Sequence, residues 1–379
     1  MNIMNIKQSE FINSDGSVVL IGIPGGGKST AIVKYIDNKC NSKIIGINNV
    51  LIFTFNKNAQ RDLSEKIKGI NYKQKVQTFD SFHLQFNKAN KINIDKTNKT
   101  FNERCDLNQI KCLENIVLSE TNINFIIKIK MIIVDESQDM NEKHYKLIKI
   151  ISERLNIPVI MVGDPNQCIY MGLKNSNSKY MLQFSDNIIR LNINYRSTPQ
   201  IINLAKHFQN DINEIEPINK DGPLPMYIKS RSKKMLFNHI LNKIIKLKTS
   251  SNILLSEICI ITYINQDGID INNLLNSNCF TTNNLNSDSV KIQDDAINIM
   301  TYYKSKGLEF RVVFLFDFQD WYYIKDVELD NNLKYVGITR AKEQLYMYYN
   351  TYNEKFNKHN KENYIMENLP RGLCDSVTI

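Results

Sequence analysis

SVVLIGIPGGGKSTAIVKYIDNK, residues 17–39, decides the fold. The run from Val18 to Ile21 is wholly apolar and reads as a buried strand, and KSTAIVKYIDNK (28–39) carries helical spacing. Between them GIPGGGKS (22–29) fits G-x-x-x-x-G-K-[ST]. A glycine-rich turn from a strand into a helix aims backbone N–H groups at phosphate oxygens. Lys28 is then placed to reach the β- and γ-phosphates of ATP and Ser29 to ligate Mg²⁺, with Gly22, Pro24, Gly25, Gly26, Gly27 and Thr30 shaping the loop.

The same alternation continues outward. NVLIFTF (49–55), KVQTF (75–79), FIIKIKMIIVDE (125–136) and IPVIMVGD (157–164) read as strands, and NAQRDLSEKI (58–67) and NEKHYKLIKIISERL (141–155) as helices. The pattern restarts with NIIRL (187–191). It continues through strands at LPMYIKS, EICIITYI, INIMTYY and FRVVFLFDF and a long helix at 233–248. We expect an α/β protein of two domains, 1–185 and 186–379, each a parallel sheet flanked by helices. FNKANKINIDKTNKTFNERC (86–105) is poor in apolar residues and reads as a solvated loop, part of a short insertion at about 87–124.

At 379 residues and 42% hydrophobic content the chain can bury two cores. Its net charge of +9 favours an acidic partner, nucleic acid first. The seven cysteines form no CxxC pair and no zinc spacing. They read as reduced thiols of a cytoplasmic or nuclear protein. MNIMNIKQSEF has no apolar signal core, and no apolar run is long enough to span a membrane.

IIVDESQD (132–139) delivers Asp135 and Glu136 from an apolar strand, Asp135 towards Mg²⁺ and Glu136 towards an attacking water. In VGDPNQCIY (162–170), Gln167 is placed to touch a γ-phosphate. KYVGITRAKEQLYMYY (334–349) sets Arg340 among small and apolar residues, where an unpaired guanidinium is costly. Arg340 and Arg196, in LNINYRST, are the second domain's candidates for neutralising a transferring phosphate, a contribution of about 10³–10⁵ in rate in known NTPases.

Taken together, GIPGGGKST, LIFTFNKNAQRDL, VQTFDSFH, IIVDESQD, VGDPNQCIY, NYRST, TYYKSKGLEF and YVGITRA resemble, in order, the motifs of superfamily 1 helicases of the UvrD/Rep/PcrA group. The resemblance implies two RecA-like P-loop NTPase domains, ATP hydrolysis and 3′-to-5′ movement along single-stranded DNA or a tailed duplex, in replication, repair or recombination. It makes Arg196 and Arg340 the γ-phosphate arginines, Tyr195 the adenine-stacking residue, Glu309 the ribose carboxylate and Gln8 the adenine-reading glutamine. Phe55, Asn56, Ser81, Tyr170, Thr301, Tyr303 and Lys306 fall at DNA-facing positions. Aromatic rings among them suit sequence-tolerant base stacking.

The sequence departs from the family at Gly172, where a tryptophan is usual, at Tyr303, where histidine is usual, and at Asp80. It is also short. TFDSFH ends at residue 83 and IIVDESQD begins at 132, while NYRST ends at 198 and TYYKSKGLEF begins at 301. Little room is left for the family's insertions. The alternative is an ATP-gated nucleic-acid-binding module, with a protein partner supplying unwinding or nuclease function.

Overall fold

Contacts divide the chain into two units, Met1–Asn192 and Ile193–Ile379. The computed structural model describes residues 5–379 apart from 43–44, 56, 69–75, 94–99, 119–125, 212–213, 287–292, 322–323 and 354–357.

The first unit runs α1 (Ile6–Asn13), β1 (Val18–Gly22), α2 (Lys28–Asn41), β2 (Val50–Thr54), α3 (Lys57–Lys68), β3 (Val76–Thr78) and α4 (Phe79–Ala89). It continues through α5 (Phe101–Leu118), β4 (Met131–Val134), α6 (Glu142–Leu155), β5 (Val159–Gly163), the short turns α7 (Met171–Lys174) and α8 (Lys179–Leu182), and β6 (Ile188–Leu191). The strands form a parallel sheet in the order β3-β2-β4-β5-β1-β6. Alternate residues of β1 feed opposite faces. Val18 and Leu20 pack with Ile32, Tyr35 and Ile36 of α2, whereas Val19 and Ile21 join the cluster of Phe82, Phe86 and Ile148. Burial on both faces is why these strands read as unbroken apolar runs.

Three expectations are corrected here. NIIRL does not open the second sheet: β6 pairs with β1, Val19 opposite Ile188, so the contact boundary falls after Asn192 rather than at 185. FIIKIKMIIVDE is a strand only over Met131–Val134; Ile126–Ile129 is a turn closed by Ile129 N donating to Ile126 O. Stretch 86–105 is not a solvated loop at its ends. Phe86 is buried in α4, and α5 sinks Cys112 and Ile116 into the core. The Asn87 amide ties α4 to the Asn108 carbonyl of α5 at 2.8 Å. Residues 94–99 of that stretch, and 119–124 of the expected insertion, lie outside the described residues.

α4 and α6 also bury two histidines. His83 and His144 stack at 6.0 Å, His144 lies 4.1 Å from the Phe79 ring, and His83 Nδ1 has no hydrogen-bond partner among the described residues. Burial, and Lys143 nearby, hold His83 down at about 3 against an ordinary 6.5; burial and the charge of His83 likewise lower His144. Below pH 6.5 the unfolded chain takes up protons that these rings refuse. Stability should therefore fall as pH drops from 6.5 towards 3, by about 1.4 kcal/mol per pH unit per histidine. Asp135 and Asp164 have raised carboxyls and work in the opposite sense. The histidine share is the difference between parent and His144→Phe in denaturant titrations at pH 7 and pH 5. Equal slopes for both proteins would refute it.

The second unit begins with β7 (Ile193–Asn194), α9 (Pro199–Ala205), β8 (Glu216–Pro217), β9 (Met226–Ser230) and α10 (Lys233–Ser250). It goes on through β10 (Ile258–Thr262), α11 (Asn265–Ser277), β11 (Thr282–Asn284), β12 (Ile297–Thr301), α12 (Tyr302–Ser305), β13 (Phe310–Leu315), α13 (Val327–Ile338) and β14 (Ala341–Asn350). The last elements are β15 (Tyr352–Asn353), β16 (Lys358–His359), α14 (Tyr364–Glu367) and β17 (Asp375–Thr378). The main sheet is parallel, in the order β11-β12-β10-β13-β14-β9-β17. One face is covered by α10 and α11 through Leu236, Ile240, Ile271 and Leu275. α9 and α13 also pack on the sheet, through β13 and β14. The run INIMTYY is a strand only to Thr301; Tyr302 turns into α12 and is wholly buried.

Candidate nucleotide and nucleic-acid sites

In the first unit the Gly-rich turn joins β1 to α2. Gly25 and Gly27 take φ of 69° and 83°, the left-handed region that glycine enters without strain. Gly27 caps α2 with no side-chain hydrogen bond, leaving first-turn N–H groups for an anion. Lys28 folds back so that its Nζ donates to Gly22 O at 2.7 Å and Ile23 O at 3.4 Å. A Cβ on Gly22 would lie 2.4 Å from Lys28 Cγ, so glycine there makes room for the lysine. Pro24 is buried, Ser29 half-buried and Thr30 exposed.

Gln8 is held by a capping box. Its N–H donates to Asn5 Oδ1 at 3.2 Å and its Oε1 accepts from Asn5 N at 3.4 Å. Its Nε2 is then directed at Gly26 O, 3.5 Å away. The glutamine expected to read adenine thus sits against the loop.

The ends of β4 and β5 complete this cluster. Asp135 is buried; burial and the charge of Glu136 push its carboxyl up, opposed by Lys28. Glu136 occupies the left-handed region, φ 53°, and its carboxylate accepts from Gln138 Nε2 at 2.6 Å. Strain of that kind in a glutamate marks a side chain aimed by its surroundings. Gln138 also links the two strands, its Oε1 accepting from Asp164 N at 3.1 Å. Asp164 in turn accepts from Gln167 Nε2 at 2.8 Å. Burial raises the Asp164 carboxyl against the pull of Lys28 and the Gln167 hydrogen bond. Sequence reasoning missed Gln138 and Asp164, although both stand inside the quoted motifs.

Phe55 and Tyr170, at the ends of neighbouring segments, stack with centroids 5.1 Å apart. Lys174 lies 4.5 Å from the Phe55 ring and 5.4 Å from Tyr170. This makes a positively charged aromatic platform, the chemistry suited to unpaired bases and their phosphates. Lys174 follows Tyr170 by four residues, a helical spacing that could have revealed it. Ser81 sits in the first turn of α4, its N–H donating to Thr78 Oγ1 and its hydroxyl accepting from Gln85. Gly172 is exposed with nothing within 4 Å of a Cβ placed there. Asn56 lies outside the described residues.

In the second unit three motif segments meet at the amino ends of β13 and β14. Asn194 Oδ1 accepts from the N–H groups of Arg196 and Ser197 and fixes the turn. The Ser197 hydroxyl donates to Ala341 O at 2.6 Å, and Thr198 N donates to Lys342 O at 2.9 Å. The Glu309 carboxylate joins Arg196 at 2.6 Å to Lys342 at 2.7 Å. Burial pushes the Glu309 carboxyl up, but Arg196, Lys342 and Arg340 outweigh it and the net shift is down. Tyr195 beside it is 40% exposed.

Arg340 is 2% exposed. Its guanidinium donates to Val336 O at 2.9 Å, Leu308 O at 3.0 Å and Thr339 Oγ1 at 3.2 Å. Thr301 ends β12, its N–H held by Asn286 Oδ1 at 2.8 Å. Tyr303 is half-buried, which raises its phenol, and Lys306 is buried.

Comparison with known proteins agrees with this layout. Residues 8–173 match the AAA domain family, and residues 189–285 and 280–352 the UvrD-like helicase C-terminal domain. A protein of Acanthamoeba polyphaga mimivirus, provisionally named ATP-dependent DNA helicase R568, is 26% identical over 93% of this chain and 55% of its own length. ATP-dependent DNA helicase PcrA of Staphylococcus aureus is 22% identical over 57% of the chain and 41% of itself. DNA helicase II of Haemophilus influenzae is 44% identical over 20% of the chain and 10% of itself. The chain thus spans about half the length of the first two relatives. With an ATP-site module and a UvrD-like module matched in order, the chain belongs to the UvrD/PcrA-type superfamily 1 helicases.

Proposed function

We propose that the chain is an ATP-dependent DNA helicase or translocase, moving 3′ to 5′ on single-stranded DNA in replication, repair or recombination. The observation that carries this reading is the meeting of Lys28, Asp135, Glu136 and the Asp164–Gln167 pair at the carboxyl ends of β1, β4 and β5. Ligands bind at that end of open α/β sheets. In this reading the loop N–H groups and Lys28 hold the ATP phosphates. Ser29 and Asp135 hold Mg²⁺, whose charge offsets that of the phosphates. The raised Asp135 carboxyl suits a group that ionises fully beside a cation. Glu136 orients the attacking water and Gln167 senses the γ-phosphate.

Tyr195 stacks on the adenine that Gln8 reads, and Glu309 reaches the ribose. Arg196 and Arg340 act on the γ-phosphate from the second unit. Arg340 does so by exchanging carbonyl partners for phosphate oxygens. Phe55, Ser81 and Tyr170, with Lys174, hold the strand, as do Thr301, Tyr303 and Lys306.

ATPase activity should rise at least tenfold with single-stranded DNA. That stimulation should weaken steeply between 50 and 200 mM salt, as phosphate contacts release counterions. Turnover indifferent to every nucleic acid would overturn the reading. A second reading, an ATP-gated binding module that needs a partner to separate strands, is favoured by the bare Gly172. DNA-stimulated ATPase without displacement of a 3′-tailed duplex would select it.

A further inference from the structure

The second unit contains a cavity of about 1140 Å³ that none of these roles uses. It opens where β10, β13 and β14 end, at Tyr263, Asp317 and Asn350. Its wall is aromatic. Tyr263 and Trp321 stack face to face at 4.0 Å with 15° between the rings, and with Trp321 only 5% exposed the half-buried Tyr263 is the more accessible ring of the stack. That stack is locked in place. The Trp321 indole N–H donates to Asp317 O at 2.5 Å, and Lys334 lies 4.5 Å from the indole while paired at 2.5 Å with Asp330.

Four carboxylates line the cavity, yet little net charge remains. Asp267 pairs with Lys233, Asp320 with Lys361 at 3.3 Å, and Asp330 with Lys334. Asp317 is buried against Asp267, which with burial holds its carboxyl well above the usual range. A cation or a bare phosphate therefore finds no strong counter-charge. Besides the ion-paired and aliphatic side chains, ring surface and amides line the space. Gln319 is 8% exposed, and its Oε1 has no hydrogen-bond partner among the described residues; Asn331, Asn353 and Asn360 stand around it. Paired donors and acceptors beside a flat aromatic wall match one class of ligand, an unstacked nucleobase.

We propose that this cavity is a base-binding pocket: a nucleobase stacks on the Tyr263–Trp321 pair and is read at its edge by Gln319. The proposal rests on the nucleic-acid reading above for the source of that base, the bound single strand. It adds an aromatic site in the second unit to the Phe55–Tyr170 platform of the first. A free nucleoside presents the same ring, and the experiment separates the two sources.

Trp321 is the chain's one tryptophan, so its emission reports on this pocket directly. The full chain, without ATP, is titrated with oligothymidylate, with an abasic strand of equal length, and with free deoxynucleosides. Binding is followed in parallel by anisotropy of labelled strands. The base-bearing strand should quench Trp321 and the abasic strand should bind without quenching. Tyr263→Ala should weaken binding of the base-bearing strand by about five- to a hundredfold, the range for losing one stacked base, and leave the abasic strand unaffected. Gln319→Leu, which keeps the stack and tests the edge contact alone, should change the ranking of the four bases.

Quenching by strand and nucleoside alike leaves the base chemistry standing with either source. Strand binding with no quenching, and with neither variant altering affinity, overturns the pocket while sparing the proposed function. No strand binding at all overturns the proposed function, and the nucleoside arm then decides the pocket alone. Silence in every arm would return the cavity, rimmed by exposed Ile264, Val327 and Tyr364, to the class of protein-docking surfaces.

Discussion

Lys28→Ala should lower DNA-stimulated ATP turnover by about 10²–10³-fold or more, the usual loss when one preorganised charge at a reacting centre is removed. It should also weaken nucleotide binding, because the ammonium serves phosphates in the ground state as well as during transfer. The fold should survive. Lys28 is half-buried, and its modest partners are two loop carbonyls, Gly22 O and Ile23 O. Nucleotide affinity by equilibrium titration, turnover with saturating DNA, and thermal melting together check this. Turnover within tenfold of the parent would remove Lys28 from the reaction.

Arg340→Ala should differ in kind. We expect a loss of about 10³-fold or more in turnover with nucleotide affinity changed far less than in Lys28→Ala, since its contribution belongs to the transition state. We also expect a modest melting shift, because the part-buried Leu308 carbonyl loses a donor while Val336 O keeps the Thr339 hydroxyl. An unsatisfied buried acceptor costs about 1–3 kcal/mol. Arg340→Lys keeps the charge but loses the planar fork, and should recover part of the stability and little of the turnover. If Arg340→Ala melts early yet turns over normally while folded, the residue is only a structural strut.

That double character explains what the sequence could and could not show. The stretch around Arg340 signals a guanidinium that needs partners, and the expected partner is an anion. The fold supplies neutral oxygens instead: Val336 and Thr339 lie within four residues of Arg340, whereas Leu308, far back in the chain, is a contact that no linear spacing announces. The strands that carry the sites were legible because burial on both faces leaves unbroken apolar runs. Helix α5 was not: the positions it buries include Asn108 and Gln109 beside Cys112 and Ile116, so its inward stripe is half polar. β17 has four exposed residues and joins the sheet through its backbone, leaving no hydrophobic pattern to find. The motif residues themselves were readable. Of their braces, Asn194 acts locally on its own turn, whereas Gln138 and Lys342 reach distant partners, Asp164 and Glu309, and emerge only with the fold.

The two sheets share one wiring feature. In each, an early strand ends up between two late ones: β1 between β5 and β6, and β9 between β14 and β17. During synthesis VVLIG must therefore wait, bare along both edges, until residues some 140 to 170 positions downstream have emerged. Such sequence-distant closure slows folding and leaves sticky strand edges uncovered meanwhile. A ribosome-bound fragment ending before Ile188 should bind holdase chaperones more than one extending past Leu191, and expression at lower temperature should raise the soluble yield.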